Sequence, residues 1–226
     1  MIKIQNIAHR GLYNEECPEN TLSAFKNALD HNYSIELDIQ LTLDNKAIVF
    51  HDNNQKRLLG IDKKICDSNY SELLEHCINK SNEKIPLLSE VLSLVNGGVP
   101  ILIELKENGK GIPIGPIIKE LLLNYKGECL VQSFDHKQVV WFKKNMPSVR
   151  RGMLYTKKGY VYSWALNILS KPDFLALDIG ISIEKATKQR KKRPVFIWTI
   201  RTIEDYIVAK KSFDAIIFEN FEPEEW

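Results

Sequence analysis

Short β-branched, apolar runs alternate along the chain with longer stretches whose apolar residues recur at helical spacing. The short runs are KIQNIAH, SIELDIQL, ILIELK, CLVQSF, RGMLY, FLALDI, VFIWTI and DAIIF, which makes eight candidate strands. Between them lie amphipathic stretches such as ENTLSAFKNALDHN, with Asn20 or Thr21 placed to cap a helix, and LSEVLSLVNGG, with Gly97 or Gly98 placed to end one. An order of strand, helix, strand favours parallel strands joined by right-handed crossovers. Eight such repeats, in a chain close to the ~250 residues typical of the fold, predict an α/β fold, a (β/α)8 TIM barrel. A doubly wound open sheet is the alternative.

The interval from Leu41 to Leu88 breaks the rhythm, because one helix would suffice to connect the second strand to the third. Its segment AIVFHDNNQKRLLGIDKKICDSNYSELLEHCINKSNEKIPL starts apolar, turns polar and irregular, and holds one brief helical patch at YSELLEH. A small insertion after the second strand, at about 52–86, is therefore expected beside the barrel mouth. Neither a linker, a low-complexity tract nor an internal repeat is visible, so residues 1–226 read as a single domain. A chain of 226 residues with 44% hydrophobic content can bury the core that such a domain needs.

Charge narrows the classes of partner. The 31 basic and 29 acidic residues leave a net charge of +2, too little for a whole-molecule field that gathers nucleic acid or an anionic membrane. No apolar run approaches the ~20 residues of a membrane span, and Met1–Asn6 lacks the basic-then-apolar order of a secretory signal, so a cytoplasmic protein is expected. Cys17, Cys66, Cys77 and Cys129 lack metal or redox spacing and read as reduced thiols.

Residues two apart on a strand share a face. In SIELDIQL this groups Glu36 with Asp38, and packing Ile35, Leu37 and Ile39 outward against helices turns both acids into the barrel. ILIELK repeats the device with Glu104 and Lys106. Interior carboxylates are costly unless paired, and neighbouring ones repel unless a cation lies between them. Three inward acids at the carboxyl ends of barrel strands therefore point to a hard divalent metal. The competing reading is a buried ion network in which Lys106 and Arg10 neutralise the acids. His9 and Arg10 stand where the first strand surfaces, and His51 follows the apolar run AIVF. Such a set suits attack on a phosphodiester: Arg10 and Lys106 offset the charge of the non-bridging oxygens, while His9 and His51 move protons near neutral pH.

HRG at 9–11, PENT at 18–21, ELD at 36–38, HD at 51–52 and ELK at 104–106 resemble, in order and spacing, the motif series of the glycerophosphodiester phosphodiesterases. Weaker likeness continues through LLSEVL, VQSF and IWT, so the resemblance covers nearly the whole chain. It implies the same barrel, an insertion after the second strand, and hydrolysis of a small glycerophosphodiester to glycerol 3-phosphate and an alcohol. It also implies magnesium or calcium held by Glu36, Asp38 and Glu104. The implied route has a glycerol hydroxyl of the substrate attack phosphorus, giving a cyclic phosphate that water opens. Glu19, at the start of the first helix, is expected to orient Arg10 and to suit the helix dipole. A phosphodiesterase acting on lysophospholipids or another diester is the alternative among enzymes. Outside them it is a barrel that binds a phosphoester without turnover, against which the paired proton-transfer groups argue.

Three places depart from the family pattern. Asn45 replaces a turn glycine, which asparagine tolerates because it enters the left-handed region. Arg201 replaces a smaller polar residue after IWT, and the last strand ends FEN at 218–220 where Thr-Asp is usual. Arg201 thus either reads an anionic head group or pairs with Glu219. Trp198 either walls the mouth against the glycerol carbons or fills the interior, and Tyr160, Tyr162 and Trp164 either line the mouth or pack a helix. GKGIPIG at 109–115 lacks the ending of a phosphate-binding loop, and KQRKKR at 188–193 reads as a solvated helix end on the opposite face.

Overall fold

A computed structural model describes residues 4–79, 81–107, 113–181 and 183–223, excluding the side chains of 161–165 and 183. The strands are β1 (Asn6–Ala8), β2 (Ser34–Leu41), β3 (Ala47–Val49), β4 (Ile101–Leu105), β5 (Cys129–Ser133), β6 (Arg150–Tyr155), β7 (Phe174–Asp178), β8 (Val195–Ile200) and β9 (Ala215–Phe218). All except β3 run parallel in one ring, which β1 closes by pairing with both β2 and β9. This is the (β/α)8 barrel that the periodicity predicts. Helix α1 (Leu22–Asp30) follows β1, and α2 (Lys56–Leu59) and α3 (Tyr70–Leu73) lie in the segment after β3. Then α4 (Leu88–Val95), α5 (Gly115–Asn124), α6 (His136–Asn145), α7 (Ser163–Ser170), α8 (Ile183–Arg190) and α9 (Ile203–Ser212) each precede the next strand.

Local chemistry sets the helix ends. Thr21, rather than Asn20, caps α1, its hydroxyl accepting from the Ala24 amide at 3.3 Å. Helix α4 stops just before the expected glycines, at Asn96 in the left-handed region, with Gly97 at φ +81° behind it. Asn45 takes φ +58° in its turn, as its residue type allows.

Alternation along the strands sorts the side chains. Ile35, Leu37, Ile39, Ile101, Ile103 and Leu105 pack outward beneath the helices, whereas Ile7, Leu102, Leu130, Leu154, Phe174, Phe196 and Ile217 fill the barrel. Phe174 and Phe196 stack with ring centroids 4.3 Å apart at the base. Gly152 makes that possible, since a Cβ there would fall 2.2 Å from the Phe174 ring. Each inward phase then climbs from an apolar base to a functional top: Ile7 to His9, Leu102 to Glu104, Leu130 to Gln132, Ile217 to Glu219.

The segment after β2 departs from the ring. Strand β3 pairs antiparallel with β2, and Ile48, Phe50, Leu58, Ile65, Leu73, Ile78 and Ile85 form a second small core of their own. Helix α3 lies within the expected patch YSELLEH. KQRKKR covers the end of α8 and the approach to β8, hence the base of the barrel, where Arg190 pairs with Asp214 at 3.1 Å. Of GKGIPIG, residues 109–112 lie outside the described residues, and the remainder leads into α5 with a proline in its first turn. No described helix is long and apolar enough to cross a membrane. All four cysteines are free thiols.

Candidate active site

Strand register assembles the acids. Strands β2 and β4 set Asp38 opposite Glu104, and Glu36 lies two residues before Asp38 on the same face. All three are buried, and one oxygen from each lies within 4.8 Å of the others. Burial, together with the charges of Asp38 and Glu104, pushes Glu36 well above the ordinary carboxylate range. Burial also takes Glu104 up to about 7, against the pull of Lys106. Asp38 behaves oppositely: burial opposes its ionisation, yet Lys106, His51 and Arg10 hold it below its ordinary value.

Lys106 Nζ contacts both Glu104 and, at 2.9 Å, Asp38 Oδ1, while Arg10 Nε lies 3.4 Å from Asp38 Oδ2. The ion-network reading therefore holds around Asp38. It does not reach Glu36, whose buried Oε1 has no hydrogen-bond partner among the described residues. An orphaned carboxylate oxygen facing two further acids fits a hard divalent cation with oxygen ligands.

The HRG turn aims the main chain at this cluster. Arg10 adopts φ +58° and Gly11 φ +82°, and a Cβ on Gly11 would meet the Ala24 carbonyl carbon at 2.9 Å. The Arg10 amide donates to Glu36 Oε2 at 3.1 Å, and the Arg10 carbonyl accepts from the Asn20 amide at 2.9 Å. Asn20, also left-handed, donates its side-chain amide to Asp38 Oδ2 at 2.9 Å. Glu19 lies just before the Thr21 cap of α1 and pairs directly with side chains. It accepts from Arg10 Nη1 at 2.7 Å, and it also binds Arg57.

Each site histidine is held through Nδ1 by a carboxylate. His9 donates to Glu219 Oε2, and Arg201 Nε donates to the other oxygen of that carboxylate at 2.6 Å. Although burial opposes it, these partners draw Glu219 down to about 2. Arg201 thus takes the ion-pair reading while still lining the mouth. His51 donates to Asp52 Oδ1 at 2.7 Å, and burial lowers the pKa of its imidazole. Fixing Nδ1–H leaves Nε2 as the exchangeable nitrogen of each ring.

His9, Arg10, Glu36, His51, Glu104 and Lys106 line one cavity of about 150 Å³. Its other wall is largely apolar, with Leu154, Trp198, Phe134 and Ile217, and Gln132 joins it with a buried Oε1 that has no partner among the described residues. Trp198 meets Phe134 edge-on at 5.8 Å, lines the cavity and also packs against the cluster that fills the barrel, so both expected placements meet in it. Tyr160 packs against Tyr155, and the side chains of Tyr162 and Trp164 lie outside the described residues. Asn20, Arg57, Gln132 and the His9 partnership of Glu219 escape the reading of the sequence. Gln132 and Glu219 carry a usable signal, because they continue the inward phases of Leu130 and Ile217. Arg57 carries none.

The sequence pattern of the glycerophosphoryl diester phosphodiesterase family matches residues 9–222. The chain belongs to that family. This phosphodiesterase is 31% identical to the glycerophosphodiester phosphodiesterase of Caldanaerobacter subterraneus subsp. tengcongensis, over 95% of this chain and 93% of that protein. It is 34% identical to a lysophospholipase D of Homo sapiens, over 56% of this chain and 43% of the human protein. The phosphodiesterase also matches the crystal structure of the Thermotoga maritima glycerophosphodiester phosphodiesterase, with a TM-score of 0.78 and 28% identity, over 96% of this chain and 95% of that one. It shares its fold with an Oleispira antarctica phosphodiesterase solved with the product sn-glycerol-3-phosphate, at a TM-score of 0.85 and 22% identity over 95% and 92% of the two chains.

Proposed function

We propose that the chain hydrolyses small glycerophosphodiesters to glycerol 3-phosphate and an alcohol. One observation carries this reading: two carboxylate-held imidazoles meet Arg10, Lys106, Glu36 and Glu104 in a single cavity, with Asp38 buried beside these two acids. Magnesium or calcium, held by Glu36, Asp38 and Glu104, would supply Lewis-acid neutralisation of the phosphate charge. Arg10 and Lys106 bind the non-bridging oxygens, the guanidinium with directed donors and the ammonium as a point charge. His9 and His51 share the proton work. One accepts the proton of the substrate's glycerol hydroxyl as its oxygen bonds to phosphorus, and the other protonates the departing alkoxide. Water then opens the resulting cyclic phosphate with the imidazoles in exchanged roles. The apolar wall at Leu154 and Trp198 packs the glycerol carbons and keeps other water out.

The test is release of glycerol 3-phosphate from glycerophosphocholine and glycerophosphoethanolamine by the parent, His9→Ala and His51→Ala. The parent should turn over, and each variant should lose about 100- to 10,000-fold in kcat. A parent inert toward every diester sinks the reading, and full activity in either variant removes that histidine from it. A second reading, action on lysophospholipids, is favoured by Phe134, which is 46% exposed at the cavity lip against Trp198. It predicts choline release from lysophosphatidylcholine that falls selectively in Phe134→Ala.

A further inference from the structure

The proposed function uses only His51 and Asp52 from the segment between β3 and α4. Yet Arg57, on α2, is bonded to both sides of the site. Its Nε and Nη2 donate to Asp52 at 2.6 and 3.1 Å, and its Nη1 and Nη2 donate to Glu19 at 2.7 and 2.8 Å. Asp52 is the carboxylate that holds His51, and Glu19 holds Arg10 at Nη1, beside the pairing of Arg10 Nε with Asp38. A single guanidinium therefore spans two carboxylates, and through them joins a proton-transfer imidazole to a phosphate-binding arginine.

We propose that Arg57 is a positioning residue of the reaction, fixing His51 and Arg10 in one frame. The inference rests on the roles given to those two residues under the proposed function. Stability does not by itself account for the arrangement: the 46% exposure of the Arg57 side chain discounts the energy of its pairs with Glu19 and Asp52, which are 13% and 23% exposed, even in this bidentate geometry. Geometry does: a planar fork with several donors dictates the angles of both carboxylates, which one ammonium could not. Among the described residues Glu19 otherwise has Arg10 alone to orient its carboxylate and Asp52 has His51 alone, so each orienter needs a fixed point of its own. Helix α2 is that fixed point. Leu58, the neighbour of Arg57, is buried in the small second core, its carbonyl accepts from the Asn79 amide at 2.7 Å, and Gly60 at φ +75° turns the chain away. The second core is the mount, and Arg57 is what it presents.

Metal-replete Arg57→Gln and Arg57→Lys, beside Asp52→Asn and Glu19→Gln, test this with three readouts. These are kcat and KM for glycerophosphocholine, inhibition by glycerol 3-phosphate, and the 15N spectrum of the His51 imidazole. Both Arg57 variants should lose about 10- to 100-fold in kcat, bind glycerol 3-phosphate more weakly, and replace the single Nδ1–H tautomer of His51 by a mixture. The melting temperature should stay within a few degrees. Asp52→Asn should reproduce the kcat and tautomer effects and Glu19→Gln the binding effect, each adding less to Arg57→Gln than it does alone. Should Arg57→Gln lose the fold, Arg57→Lys, which keeps the charge, decides by the same readouts. Parental kcat, KM and tautomer in a folded Arg57 variant, or full additivity, overturns the proposal. A parent inactive on all diesters counts instead against the proposed function, and the His51 tautomer still decides the role of Arg57.

Discussion

Glu219, just past the last barrel strand, accepts the Nδ1 hydrogen of His9, just past the first. The strands are neighbours, with Ala8 beside Phe218, and the His9 amide donates to the Phe218 carbonyl at 2.9 Å. Closure of the barrel thus brings the imidazole to its orienting carboxylate. Glu219→Gln keeps an acceptor but removes the charge, whereas Glu219→Ala frees the ring and leaves Arg201 without this partner. We expect kcat to fall about 10- to 100-fold in the first and further in the second, with KM little changed. Undiminished kcat in Glu219→Ala would show that His9 needs no such hold.

The same carboxylate predicts a pH dependence of stability. Burial opposes its ionisation, yet His9 and Arg201 bring Glu219 to about 2 in the folded chain, against about 4.3 for an unperturbed glutamate. A depressed folded pKa stabilises the fold fully above the unfolded value, and that contribution is lost as the pH falls toward 2. Denaturant unfolding of the parent and Glu219→Gln should therefore show a stability gap at pH 6 that narrows by pH 3. A gap independent of pH would contradict the assignment.

Cation binding can be checked without turnover. Burial and two neighbouring acids make an ionised Glu36 unfavourable in the absence of a cation. Glu36→Gln should therefore melt no lower than the parent in chelator, and should lose the rise in melting temperature that millimolar magnesium or calcium gives the parent. A parent indifferent to both ions, or a variant that responds as the parent does, would contradict the ligand set.

The charge of Arg201 is directed at Glu219, 2.6 Å away. Arg201→Asn should accordingly leave the ratio of kcat/KM for glycerophosphoserine over glycerophosphocholine within about threefold of the parent's. A selective loss toward the anionic head group, on the order of tenfold, would instead make Arg201 a reader of that group.

The period-two rule made the barrel and most of the cavity legible. It places Glu36, Asp38, Glu104 and Lys106 inward from two short runs, and the strands bear this out. The same rule reaches Gln132 and Glu219, although their partners depend on which strands become neighbours. Thr21 and Asn20 are both helix-capping types, and only the observed turn shows that one caps α1 while the other holds Asp38. Arg57 is beyond pattern reading, because it lies in an irregular segment and both partners lie outside α2, one of them distant in sequence.

The proposed metal-dependent phosphodiesterase site unites the buried acids with the paired histidines. Its most direct test is glycerol 3-phosphate release from glycerophosphocholine by chelator-stripped protein as magnesium or calcium is added back. Release should be negligible at the start, then rise and saturate in the parent, with no such rise in Glu104→Gln. Full turnover by verified metal-free protein, or no glycerol 3-phosphate at any concentration of either ion, would contradict it.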